Sequence, residues 1–178
     1  MERYVALWRG INVGKAKRLP MEDLRVLLGR LGYSGVATLL NSGNAVFSAS
    51  GGAPAGHAQR IRATVAGELG VDAQVVVVGA RAYRAILAAN PLLPVAVDPS
   101  RHLVAFVADP GTLAELADLG GGDWTPEALA LGAGAAYLWC PGGILASSLL
   151  QAVGRRLGDR VTTRNWATAE KLGQLLAP

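Results

Sequence analysis

The sequence predicts an α/β (α+β) protein made of two ferredoxin-like β-α-β-β-α-β halves, each followed by an extra helix. Three observations carry this. Apolar periods of two and about 3.6 residues alternate in that order through the first half, the same order returns in the second, and a Pro-rich stretch, Pro91 to Pro99, lies between them. The residues of the two halves align poorly, so the repeat is one of element order rather than of sequence. Residues 1–90 are therefore expected to form the first half, 91–99 a bridge, and 100–178 the second half with a C-terminal helix.

Residues 4–8 (YVALW) read as the first strand. In MEDLRVLLGRLG, residues 21–32, Met21, Leu24, Leu27, Leu28 and Leu31 recur at helical spacing and Gly32 is a stop signal. VATLL (36–40) and NAVFS (44–48) are short strand runs, expected to be joined tightly through Asn41-Ser42-Gly43. GHAQRIRATVAGELG (56–70) carries Ile61, Val65 and Leu69 on one helical face, and AQVVVVG (73–79) is a fourth strand. A short helix is expected over 81–89.

In the second half HLVAFV (102–107) is a strand and TLAELADL (112–119) a helix. EALAL (127–131) and AYLWC (136–140) are paired strands around Gly132 to Gly134. SSLLQAVGRRLG (147–158) is a helix and RVTTR (160–164) a strand. Asn165 then caps a last helix with Trp166, Ala169, Leu172 and Leu176 along one side.

At 178 residues, half of them apolar, the chain is long enough for one ample core or two small ones. Apolar runs are interrupted by Gly, Pro or charge well short of the roughly 18 residues a membrane span needs, and the N-terminus opens into a strand without a signal-peptide pattern. A soluble cytoplasmic protein with no membrane partner is expected. The single cysteine, Cys140, excludes an internal disulfide, and a cysteine-based metal cluster would need more ligands than the chain has. The net charge of +4 is uneven: residues 1–101 hold 12 basic and 6 acidic groups, residues 102–154 none and 5, residues 155–178 5 and 2. An anionic partner would prefer the basic first half or the basic tail.

The unusual segment is RGINVGKAKRLP, residues 9–20, with Arg9, Lys15, Lys17, Arg18 and two glycines in one connection. In a β-α-β-β-α-β unit the loop after the first strand lies at the same end as the hairpin joining the second and third, which places residues 9–20 beside Asn41 to Asn44. Backbone N–H groups at Gly10, Gly14 and Gly43, with the four cations, would form an anion-accepting rim. The spacing is not that of a Walker A loop, since three residues separate the glycines and Ala16 follows Lys15. No dinucleotide-binding glycine fingerprint opens a helix after a strand either, and no cofactor or metal is expected. A flexible strand-to-helix loop would also carry Gly and Lys without any ligand.

YVALWRGINVGKAKRLPMEDLR (4–25), NSGNAVF (41–47) and TTRNWATAEKL (162–172) closely resemble the bacterial family DUF1697, a domain of unknown function. The resemblance implies a two-part α/β protein of ferredoxin-like halves and brings no established activity or cofactor. The family-typical residues it carries over are Arg9, Gly10, Asn12, Gly14, Pro20, Met21, Leu24, Ser42, Gly43, Asn44, Thr163, Arg164, Asn165, Trp166, Thr168 and Lys171. Departures are Lys15, where a small or polar residue is usual, Asn41 in place of a common Gln, and Pro141-Gly142-Gly143 with Ser148, where the family has a Pro-Asp-Gly turn and a Lys.

Arg9 and Asn12 fit two roles equally, bracing hairpin carbonyls or binding a phosphate or carboxylate. Arg164 and Asn165 precede a helix, where Asn165 most simply satisfies free N–H groups and Trp166 packs beneath. Cys140, before Pro141 in an apolar strand, reads as a buried inert thiol, with only His57 and His102 available as bases. Glu22 and Asp23 at a helix start simply suit the macrodipole. Tyr4, Trp8 and Phe47 could stack bases as in RRM modules, but the RNP1 pattern is absent, and Tyr4 and Trp8 are expected to bury against the other half.

The expected function is binding of a phosphate-bearing ligand, nucleotide or nucleic acid, through Arg9, Gly10, Asn12, Gly14, Lys15, Lys17, Arg18, Ser42, Gly43 and Asn44, with Arg164 and Asn165 as further candidates. No catalytic residue is assigned. A small-molecule transferase or hydrolase using the same pocket, and a protein-interaction module without catalysis, are the alternatives, so the sequence leaves open whether the protein is an enzyme. The expected partner is an anionic small molecule or nucleic acid.

Overall fold

The structure is a computed structural model and describes residues 1–177. The chain divides into two compact units, Met1–Tyr83 with the segment from Leu172 onward, and Arg84–Lys171. The division falls inside two helices, Ala80–Ala88 and Trp166–Leu175.

The first unit runs β1 (Glu2–Trp8), α1 (Met21–Arg30), β2 (Ser34–Thr38), β3 (Asn44–Ala49), α2 (Pro54–Leu69) and β4 (Val75–Gly79), followed by the start of α3 (Ala80–Ala88). Its sheet order is β2-β3-β1-β4, with β1 antiparallel to both β3 and β4, the ferredoxin-like arrangement. The leucines at helical spacing bury as the periodicity predicts: Leu24, Leu27 and Leu28 close α1 over the sheet, and Ile61 and Val65 do the same from α2. Helix α2 begins at Pro54, two residues before the expected start, because a proline at the first helical position loses no hydrogen bond.

Two expectations are corrected here. Strand β2 ends at Thr38, so residues 39–43 form a connection longer than a tight Asn-Ser-Gly turn. The backbone crosses left-handed space twice, at Leu40 (φ 59°) and Gly43 (φ 87°), and the Leu39 N–H donates to the Asn44 carbonyl at 2.9 Å. Secondly, Tyr4 and Trp8, expected to bury against the other half, lie in the first unit's own core with Ala6, Phe47 and the helix leucines. The pairing Tyr4↔Phe47 and their stacked rings, centroids 5.4 Å apart, put those aromatics on the face that α1 and α2 cover. Base stacking of the RRM kind at these three side chains is thereby ruled out.

The second unit holds β5 (His102–Val107), a 3₁₀ segment (Pro110–Leu116), α4 (Ala117–Gly120), β6 (Ala128–Leu131), β7 (Ala135–Trp139), α5 (Ser148–Leu157), β8 (Val161–Asn165) and the start of α6 (Trp166–Leu175). The order β6-β7-β5-β8 repeats that of the first sheet. The helix expected over 112–119 is instead the 3₁₀ segment followed by one α turn. Leu113 and Leu116, buried at a spacing of three, suit the eclipsed 3₁₀ geometry, and Gly120 to Gly122 leave no length for an α-helix. The C-terminal end of α6 returns to the first unit, where Arg3 donates to the Leu175 and Ala177 carbonyls at 2.7 Å each.

Candidate functional site

The loop after β1 and the β2–β3 connection do converge, and the residue that ties them is Asn12. Its amide nitrogen donates to the Leu19 carbonyl at 2.8 Å and to the Asn41 carbonyl at 2.7 Å, and its oxygen accepts from the Leu19 N–H at 2.8 Å. Its backbone N–H donates to the Lys17 carbonyl at 3.0 Å, closing residues 12–17 into a small ring. Asn12 sits at φ 55°, a conformation Asn tolerates better than other non-glycine residues. Ile11 and Leu19, both buried, pin the two ends of the ring into the core.

A cleft of about 420 Å³ opens beside this clasp, lined by Asn12, Arg18, Leu19, Pro20, Met21, Glu22 and Asn41. It looks onto the start of α1, where Pro20 occupies the cap position and offers no side-chain bond to the first-turn N–H groups. The side chains of Arg18 and Glu22 are exposed and make no hydrogen bond or ion pair with any described residue. Two opposite charges thus line one cleft without neutralising each other.

Of the residues singled out in the sequence, Arg9, Gly10, Gly14, Lys15, Lys17 and Arg18 are exposed on this loop, with left-handed backbone at Gly10, Gly14 and Lys17. The Arg9 N–H donates to the Gln74 carbonyl at 2.9 Å, so the loop leaves the sheet beside β4. In the hairpin, Ser42 is exposed, whereas Gly43 and Asn44 are buried and hold the turn. The Gly43 carbonyl accepts from the Trp8 N–H at 2.9 Å, and the Asn44 amide donates to the Leu39 carbonyl at 2.7 Å and to Ser42 Oγ at 3.1 Å. Leu19, Pro20, Met21, Glu22 and Asn41 are cleft residues that the sequence reading left out of the site.

Arg164 and Asn165 belong to the second unit. Arg164 is buried on β8 and donates to Thr162 Oγ1 at 2.9 Å and to the Thr163 carbonyl at 2.7 Å, while Asn165 Oδ1 accepts from the Thr168 N–H at 2.9 Å and caps α6.

Cys140 is buried in the second core, and burial pushes its thiol upward, against a smaller downward pull from its hydrogen bond with Ser147. His102 pairs with Trp139, one residue before Cys140, so alternation puts its ring on the opposite sheet face from that thiol. His57 lies in the other unit, its Nδ1 2.9 Å from the Tyr33 hydroxyl. No histidine is therefore placed to activate the cysteine. Among the described residues no group of three or more His, Cys, Asp or Glu side chains could hold a metal ion, and no helix is long and apolar enough to cross a membrane.

The family model for a protein of unknown function, DUF1697, matches residues 1–137, which include the whole clasp and cleft. The chain belongs to that family. Its fold is similar to that of the conserved bacterial protein SP0830 from Streptococcus pneumoniae, with a TM-score of 0.82 over 99% of both chains at 23% identity. No curated protein matches.

Proposed function

We propose that this member of the DUF1697 family binds a phosphate-bearing ligand, a nucleotide or nucleic acid, at the cleft between the Arg9–Pro20 loop and the β2–β3 connection. One observation carries the reading: an unpaired guanidinium, Arg18, lines the cleft at the start of α1, whose first-turn N–H groups have no side-chain cap. Unpaired cations and helix-start N–H groups both favour an anion, and a guanidinium recognises phosphate bidentately. Arg9, Lys15 and Lys17 on the same loop add positive potential around the mouth. The clasp made by Asn12 holds Leu19 and Asn41 in place, so the lining needs little ordering when a ligand arrives.

A low-salt thermal-shift panel of inorganic phosphate, mononucleotides and short oligonucleotides tests this, each hit being repeated with Arg18→Ala. A probe at 100 times its dissociation constant stabilises the fold by about 2.7 kcal/mol. The shift should vanish in the variant, and an oligonucleotide shift should fade steeply with salt. No shift with any phosphate-bearing probe, or a shift that Arg18→Ala leaves intact, removes the site.

A further inference from the structure

Glu22 is the residue that an anion site alone does not explain. Its neighbour Asp23 supplies a second first-turn acid, so the macrodipole does not require both. Glu22 nevertheless lines the cleft, its side chain exposed and unpaired, as does that of Arg18. A carboxylate there disfavours any second phosphate and offers only acceptors, which suit a ligand whose far end presents hydroxyl donors. Of the cleft's other polar side chains, Asn12 has spent both amide donors on backbone carbonyls, whereas the exposed Asn41 amide makes no side-chain hydrogen bond and is a second, uncharged group that a hydroxyl can meet. At about 420 Å³ the cleft falls at the lower end of small-molecule sites, which run from about 300 to 1,000 Å³.

We infer that the cleft takes a ribose-phosphate unit, its phosphate on Arg18 and its ribose hydroxyls donating to the Glu22 carboxylate, and that it discriminates against the 2′-deoxy form. The inference rests on the phosphate reading above and names which phosphate ligand the site selects. The same unit occurs in a free ribonucleotide and at the 3′-end of an RNA strand, where no second phosphate follows the ribose, and a carboxylate acceptor serves the 2′-hydroxyl of either.

Calorimetric titration separates the outcomes, using AMP, 2′-deoxy-AMP, inorganic phosphate and hexamers of ribo- and deoxyriboadenylate against the full chain. Glu22→Ala, Glu22→Gln and Arg18→Ala are titrated alongside, each first shown by thermal unfolding to be folded. AMP should bind about tenfold more tightly than 2′-deoxy-AMP, the worth of one hydrogen bond to a charged acceptor. Glu22→Ala should bring the two within about twofold, Glu22→Gln should leave an intermediate ratio, and Arg18→Ala should weaken both without changing it. If the preference resides in the hexamers, with ribo over deoxyribo lost in Glu22→Ala, the inference holds with RNA as the source. Equal ribo and deoxyribo affinities, or a ratio that survives Glu22→Ala, overturn the inference and leave the phosphate site standing. Failure of every probe, phosphate included, overturns both.

Discussion

Replacing Asn12 by Ala tests whether one side chain organises the whole rim. Leu19 is fully buried, and both its N–H and its carbonyl are bonded to the Asn12 amide at 2.8 Å; a third bond, to the Asn41 carbonyl, is 2.7 Å long and exposed. Bonds of this kind contribute about 0.5–1.5 kcal/mol each, and the two on Leu19 stand near the top of that range because their loss strands backbone groups against the core. With the exposed bond at the low end, Asn12→Ala should cost about 3 kcal/mol. Left-handed backbone at φ 55° adds about 1 kcal/mol for Ala, which lacks the short polar group that makes Asn tolerant there. Asn12→Gly removes the same bonds without that strain and should recover about 1 kcal/mol. Urea denaturation reads both as a lower midpoint at unchanged slope. If Asn12→Ala costs less than about 1 kcal/mol, the clasp is not what holds the loop; equal losses for Ala and Gly would refute the strain argument alone.

Two further outcomes follow from the same geometry. At Gly43 an added Cβ would lie 2.6 Å from Ile11 Cδ1 and 2.7 Å from Trp8 Cβ, the latter fixed to the central strand, at φ 87°. Gly43→Ala should therefore cost about 2–4 kcal/mol and lower Tm by about 5–15 °C, whereas Gly10→Ala, with open space at φ 65°, carries only the smaller left-handed strain; equal Tm values for the two variants would sink the steric account. His102 is fully buried, and its Nε2 lies 3.0 Å from the Asn90 amide nitrogen, whose oxygen is already taken by the Leu92 N–H; burial pulls its pKa below the ordinary 6.5. The unfolded chain thus binds this proton more readily than the folded one, so the contribution is fully present above about pH 6.5 and is lost as pH falls below it, at most about 1.4 kcal/mol per pH unit. Urea midpoints between pH 7 and pH 5 should show that slope in the parent chain and not in His102→Gln; an identical slope in both would place the titrating group elsewhere.

What the sequence could and could not say divides along physical lines. Short-range patterns were legible: the buried leucines of α1, the valines of β4 and the Asn165 cap follow from periodicity and local hydrogen bonding. The convergence of residues 9–20 with the hairpin was also legible, since the order of elements dictates which loops share an edge. Side-chain allegiance was not. Tyr4 and Trp8 alternate with Val5 and Leu7, every one of them buried, so the strand gives no sign of which face the helices cover. Asn12 illustrates the same limit inside the site. A polar residue in a glycine-containing loop looks alike whether it awaits a ligand or holds the backbone, and only the three bonds to Leu19 and Asn41 assign it to the second role. Glu22 shows the reverse: at a helix start its charge already has a local explanation, and nothing in the spacing reveals that it lines one cleft with Arg18. On the proposed reading, the side chains that the fold leaves without partners in the cleft, Arg18, Glu22 and Asn41, are for that reason better guides to a ligand than the most distinctive residues of the loop.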